Sequence, residues 1–134
     1  TLTATKNPIA VNFKTGPYPG FPTDLQAPMM VAQALANGQS VIEETVFENR
    51  LMHVAELQKM GAQIKTYGTK ATIKGVEYFY GTEVIATDIR ASAALVISGL
   101  VAKGETKILG IHHWKRGYDK LEEKLQQLGA NISV

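Results

Sequence analysis

The sequence predicts an α/β domain made from two copies of one helix–strand–helix–strand unit, with its most apolar helices buried. The first observation behind this is a repeat at a spacing of 64 to 68 residues. Thr23-Asp24-Leu25-Gln26-Ala27 returns as Thr87-Asp88-Ile89-Arg90-Ala91, and each heads an apolar run that ends in glycine, Gly38 and Gly104. An arginine stands twelve residues after each glycine, Arg50 and Arg116, and LQKMGAQI (57–64) is matched by LQQLGANI (125–132). The second observation is that the two long runs carry almost no charge beyond their first turns, so helices built from them must be covered on several sides. Third, VIEETV (41–46) and TKILGI (106–111), which follow those runs, are rich in β-branched residues, as strands are.

In chain order, Thr23 and Asp24 are N-cap types that open a helix reaching Asn37, with Gly38 as its stop, and Thr87-Asp88 opens a second helix ending at Gly104. The later helices, Arg50 to Met60 and Arg116 to Leu128, are amphipathic, with Leu121, Leu125 and Leu128 on one face, and are expected to lie half exposed. Between the copies, AQIKTYGTKATIKGVEYFYG (62–81) predicts a hairpin turning at Gly68-Thr69 and then a further strand to Gly81. No linker or low-complexity segment interrupts the chain, so residues 1–134 are expected to be a single-domain fragment, with repeat one at about 8–81 and repeat two at about 82–134. The opening TLTATK has no initiator Met, which suggests a piece of a longer polypeptide.

Composition narrows the function classes. With 45% hydrophobic and 19% charged residues, the chain has the profile of a globular core. Fourteen basic against twelve acidic residues leave a net charge of +2, too balanced for a general nucleic-acid binder. The absence of cysteine removes disulfides, thiolate metal sites and a Cys nucleophile from this stretch and points to a reducing, cytoplasmic setting. The longest apolar runs, such as AALVISGLVA (93–102), fall far short of about 20 residues, so no membrane span is expected. No GxGxxG or GxxxxGK[ST] motif is present, and the pair His112-His113, with His53 far off in sequence, lacks the spacing of a metal site.

The charges that look placed for chemistry are Asp and Arg. Eleven lysines but three arginines occur, Arg50, Arg90 and Arg116, all read as helix starts, and Asp24 and Asp88 are repeat mates in equivalent first turns. Guanidinium forks beside helix N-termini make a pocket for a small multiply charged anion, and an Asp in that pocket is a candidate general base for a hydroxyl. Taken singly, each has a plainer reading: Asp24 and Asp88 as helix caps, Arg50 and Arg116 as partners of neighbours such as Glu48 or Asp119.

Four motifs in order, PYPGFPTDLQAP (17–28), EETVFENRLMHVAEL (43–57), ATDIRASAALVISGL (86–100) and RGYDKLEEKLQQLGANI (116–132), resemble the C-terminal part of the UDP-N-acetylglucosamine 1-carboxyvinyltransferases. The resemblance covers nearly the whole chain from about residue 8. It implies that these are two of the βαβαββ units that build an inside-out α/β barrel, with apolar helices in the middle behind mixed sheets. It also implies transfer of the enolpyruvyl group of phosphoenolpyruvate to the 3-hydroxyl of UDP-N-acetylglucosamine, with no metal or organic cofactor. By the same resemblance Asp24 is the candidate base for the sugar hydroxyl, and Val46 and Phe47 contact the UDP-sugar. Arg50 falls in the phosphoenolpyruvate site, Asp88 and Arg90 sit beside the reacting carbon, and Arg116 grips phosphoenolpyruvate. The family's usual acidic residue before the RGY arginine is Lys115 in this chain. Its Lys-Asn pair, its mobile loop with a Cys or Asp acid and a further phosphate-binding arginine belong to an N-terminal part outside this sequence, the expected partner of the chain. The sister transferase acting on shikimate 3-phosphate and a non-catalytic scaffold of the same fold remain as alternatives.

Overall fold

The computed structural model describes residue 3 and residues 6–134. Strand β1 (Phe13–Lys14) leads through a loop to a single 3-10 turn at Thr23–Leu25 and then helix α1 (Gln26–Ala34). Strand β2 (Gln39–Glu43), helix α2 (Val54–Lys59) and the hairpin β3 (Gln63–Tyr67) and β4 (Lys70–Lys74) follow. The chain then repeats only the start of that order, with β5 (Glu83–Ile85), α3 (Ile89–Val101) and β6 (Lys107–Leu109), and continues in two helices, α4 (Ile111–Gly117) and α5 (Leu121–Gln127), so the closing strand expected in the second copy is not formed.

The strands form two sheets. One has the order β1-β2-β4-β3, with β1 parallel to β2 and β4 antiparallel to both of its neighbours; the other is the parallel pair β5-β6. The hairpin closes at Gly68-Thr69 as its sequence predicts, and its alternation sends Ile64, Ala71 and Ile73 to the same buried side as Ile42 of β2. Met30, Val31 and Ala34 of α1, Leu57 of α2 and Ala94 and Leu95 of α3 complete one core with them. Helices α1 and α3 pack against each other in the middle of the molecule. Removing so much apolar surface from water is what holds the layers together, at about 25 cal/mol per Å².

The two central helices are not covered equally. Helix α1 sits behind a four-stranded sheet, whereas α3 has two strands over it, and Ile97, Leu100 and Val101 are left 40 to 50% exposed.

Several boundaries differ from the sequence expectation. The strand expected over TKILGI stops at Leu109, because Gly110 takes φ 85°, a conformation open to glycine, and turns the chain so that Ile111 starts α4. The helix expected from Arg116 to Leu128 is two helices. Trp114 of α4 is buried and its Nε1 donates to Glu122 of α5 at 2.8 Å, which requires the chain to fold back between them. Arg116 consequently lies in the last turn of α4, not at a helix start, and Leu128, beyond the end of α5, is 84% exposed. Residues 48–53 form turns before α2, so Arg50 precedes that helix. The strand expected to run to Gly81 is reduced to a bridge between Tyr80 and Lys103, with Phe79 buried beside it.

The end of the hairpin is locked to the α1–β2 junction, where the Gly75 N–H donates to Gly38 O at 3.0 Å and the Val76 N–H to Ala34 O, at the end of α1, at 2.8 Å. A Cβ at position 75 would lie 1.7 Å from the Ala36 carbonyl oxygen, and backbone on both sides leaves nothing free to move aside. Gly75→Ala is expected to destabilise the protein by at least about 3 kcal/mol in denaturant unfolding, the cost of overpacking at a rigid contact. A loss under about 1 kcal/mol would show that this junction is pliable.

Candidate functional site

The central helices begin on the same side, at the carboxyl ends of β1 and β5, where open α/β sheets place their ligands. The repeat mates Asp24 and Asp88 behave differently there. Asp88 is a true N-cap: its Oδ1 accepts from the N–H groups of Arg90 (2.8 Å) and Ala91 (3.0 Å) at the start of α3. Asp24 caps nothing. It lies in the 3-10 turn, α1 starts at Gln26 with no side-chain cap, and its carboxylate faces outward, 70% exposed.

Two guanidinium groups converge on that carboxylate. Arg90 Nε donates to Asp24 Oδ1 at 2.5 Å, and Arg50 Nη1 lies 3.6 Å from the same oxygen, a charge contact beyond hydrogen-bond length. The hydrogen bond from Arg90 holds the Asp24 carboxyl below its ordinary range, with the charges of Arg90 and Arg50 adding to the effect against slight desolvation. Asp24 is therefore ionised at neutral pH. The Arg50 guanidinium also stacks on the Phe47 ring, 4.1 Å from its centroid, so the loop after β2 that carries Val46 and Phe47 adjoins the cluster.

Behind these groups is a cavity of about 150 Å³ lined by Gln26, Arg50, His53, Asp88 and Arg90 among others. Gln26 Nε2, Arg50 Nη1 and His53 Nε2 are buried there without a hydrogen-bond partner among the described residues. A pocket walled by such groups suits ordered water or an oxyanion. His53 is 4% exposed; burial pushes its pKa down to about 4, with the Asp88 charge opposing, so the imidazole is neutral at pH 7.

Of the residues singled out from sequence, the structure thus gathers Asp24, Arg50, Asp88 and Arg90, with Phe47 alongside. Arg116 is exposed and faces a separate shallow groove shared with Lys115, Tyr118 and Asp119; among the described residues it makes no ion pair. Tyr118, which sequence reasoning passed over, does feel the cluster: burial raises its pKa, Arg90 opposes, and the charges of Asp24 and Asp88 add to the rise. Its place in RGY, two residues past Arg116, was the available signal. Glu44 was also missed, because one Glu inside a predicted strand looks like surface charge. It is 2% exposed. Among the described residues no group of three or more His, Cys, Asp or Glu side chains is disposed to hold a metal, and no helix is long and apolar enough to cross a membrane.

Comparison with known proteins bears on what such a cluster is for. Residues 1–125 match the family described as EPSP synthase (3-phosphoshikimate 1-carboxyvinyltransferase). The chain belongs to this family. Among curated relatives, it is 61% identical over 95% of its length to a UDP-N-acetylglucosamine 1-carboxyvinyltransferase from Caldanaerobacter subterraneus, and 60% identical over 92% to one from Thermodesulfovibrio yellowstonii. It spans 31% and 30% of those two proteins. Family members of known structure share the architecture. The enolpyruvyl transferase NikO from Streptomyces tendae superposes on 97% of this chain with a TM-score of 0.88 at 33% identity, the chain covering 30% of NikO. EPSP synthase from Acinetobacter baumannii superposes on 83% of the chain with a TM-score of 0.65; at 19% identity, and with the chain covering 26% of it, that likeness speaks for the fold alone. The buried central helices behind one mixed and one parallel sheet are those of the enolpyruvyl transferase fold.

Proposed function

We propose that this chain is the C-terminal part of an enzyme that transfers the enolpyruvyl group of phosphoenolpyruvate to the 3-hydroxyl of UDP-N-acetylglucosamine and releases phosphate. The observation that carries the reading is the ionised, outward-facing Asp24 carboxylate held by Arg90 and Arg50. The relatives at 60 to 61% identity support the choice of sugar nucleotide. In the addition step the sugar oxygen bonds to C2 of phosphoenolpyruvate, its proton passes to Asp24, and a proton from an acid elsewhere in the protein reaches C3. Elimination then expels phosphate from the tetrahedral ketal as C3 loses a proton. Each step gathers negative charge on phosphate and carboxylate groups, which fixed guanidinium groups stabilise without reorganisation.

In this reading Arg90, with Asp88 fixing the start of its helix, faces the reacting carbon, and Arg50 faces phosphoenolpyruvate. Val46 and Phe47 meet the sugar nucleotide. Arg116 closes on phosphoenolpyruvate from α4, at whose C-terminal end Tyr118 already senses the charges of Arg90, Asp24 and Asp88. The units at about 8–81 and 82–134 pair with an N-terminal part that supplies the acid and further phosphate ligands, and no metal or organic cofactor takes part. This transfer would be the first committed step of peptidoglycan synthesis in a bacterial cytoplasm, serving cell-wall formation, cell shape and division.

The test is phosphate release from phosphoenolpyruvate. The full-length protein carrying this chain is expected to turn over with UDP-N-acetylglucosamine and not with shikimate 3-phosphate, and the 134-residue chain alone is expected to stay at background. Turnover with shikimate 3-phosphate instead would assign it to the sister reaction, and turnover with neither would leave a scaffold. Sustained activity of the isolated chain would show that no second part is needed.

A further inference from the structure

Glu44 follows directly on β2, and its carboxylate is the best-ligated side chain among the described residues. Oε1 accepts from the Thr15 hydroxyl (2.8 Å) and from the backbone N–H groups of Val46 (3.0 Å) and Phe47 (3.2 Å), while Oε2 accepts from the Thr23 hydroxyl (2.9 Å). Burial works to raise its pKa, but these four bonds outweigh it and hold the group below its ordinary range. No Lys or Arg pairs with it among the described residues, so neutral donors alone compensate the buried charge.

What those donors belong to gives the arrangement its meaning. Thr23 immediately precedes Asp24, and Val46 and Phe47 form the loop beside Arg50. Thr15 ties the same carboxylate to the end of β1, and the Thr45 N–H donates back to the Thr15 hydroxyl at 2.9 Å. One carboxylate therefore fixes the turn carrying Asp24 and the loop carrying Val46 and Phe47 relative to each other, across 21 residues of chain. A buried charge is tolerable only when bonded this fully, and the donors that compensate it come from the two segments that flank the Asp24–Arg50 cluster.

We infer that Glu44 is a positioning residue that sets the distance between the Asp24 turn and the Val46-Phe47 loop, acting through the Thr23 hydroxyl on one side and two backbone amides on the other. The inference rests on the reading of Asp24 as the base and of the loop as the sugar-nucleotide contact. If Glu44 serves only as a spacer, the neutral isostere restores it: a Gln oxygen accepts from the two amides and Thr15, and its NH2 donates to the Thr23 hydroxyl, which can turn to accept.

The experiment is steady-state kinetics of the full-length protein with phosphoenolpyruvate and UDP-N-acetylglucosamine, each variant being checked for folding by thermal unfolding. Thr23→Val, which cuts the strut to Asp24 alone, is expected to lower kcat about tenfold with KM for the sugar nucleotide within about twofold, and Thr23→Ser to restore kcat. Glu44→Ala frees both segments and is expected to raise that KM about tenfold as well as lower kcat, whereas Glu44→Gln stays within about threefold of wild type. In the Glu44→Ala background Thr23→Val should add less than about twofold, since its route to Asp24 is already gone. Should Glu44→Ala fail to fold, the Thr23 pair and Glu44→Gln decide the matter. Wild-type kcat in Thr23→Val, Glu44→Gln as damaged as Glu44→Ala, or independent effects in the double variant would each overturn the inference. An inactive wild-type protein would instead overturn the functional reading beneath it.

Discussion

Asp24→Asn in the full-length protein is expected to lower kcat by on the order of 10² or more while shifting Tm by a few degrees at most. The structure sharpens the reason. The carboxylate is 70% exposed and caps no helix, so what it contributes to stability is an exposed ion pair with Arg90 and a longer contact to Arg50, together about 1 kcal/mol at most. Asn keeps the shape and one acceptor oxygen for Arg90 but cannot take a proton from a sugar hydroxyl. A base whose pKa is held down by an arginine is a weak one, so proton transfer gains if Arg90 turns toward the substrate's charge when substrate binds and releases Asp24. Kinetics and thermal unfolding on the same preparation check both halves. Near-normal kcat in a stable Asn variant would remove Asp24 as the base and leave the arginines as the site.

His53 is expected to produce the largest pH effect on stability. Its pKa is about 4 in the folded chain against 6.5 as the ordinary value, so between those limits the unfolded state binds the additional proton. Stability is then complete above about pH 6.5, falls as the pH drops, and levels off below about pH 4, for a loss of about 3 kcal/mol. Asp24 and Glu44, whose pKa values are lowered from 3.8 and 4.5, also lose stability toward acid, but only below their ordinary values. The interval from about pH 6.5 to 4.5 therefore isolates the histidine. Denaturant unfolding at pH 7.0, 6.0 and 5.0 should show the decline in the native sequence and a much flatter profile in His53→Gln, at roughly neutral pH cost. An equal decline in both would place the protonation elsewhere.

Much of this molecule is legible in its sequence because the signals are local or repeated. The hairpin at Gly68-Thr69 follows from β-branched alternation on either side of a turn dipeptide, and the central helices follow from apolar runs too long and uncharged to face water. Repetition marked Asp24, Asp88, Arg50 and Arg116, and the motifs around them marked the family. Where local signals compete, the reading slipped. One amphipathic pattern ran from the last turn of α4 through α5, and periodicity carries no information that Trp114 will be buried and bonded to Glu122 eight residues on.

The sequence by itself determined the fold class, the central helices with the strands that follow them, and the residue types available for chemistry, since propensity, patterning and motif all act over short stretches of chain. Tertiary structure decided the roles. Two aspartates in matching sequence positions became a helix cap and an arginine-held carboxylate, because Asp88 stands at an extended residue whose side chain reaches the first N–H groups of α3, while Asp24 sits in a 3-10 turn facing Arg90 from 66 residues away. Arg116 moved out of the cluster and Tyr118 into its reach when α4 ended and the chain turned. Glu44 became a buried brace through donors 29 and 21 residues earlier in the chain. Each depends on which groups of distant segments meet in space, and hydrogen bonding and burial at long range leave no periodic mark on the chain that makes them.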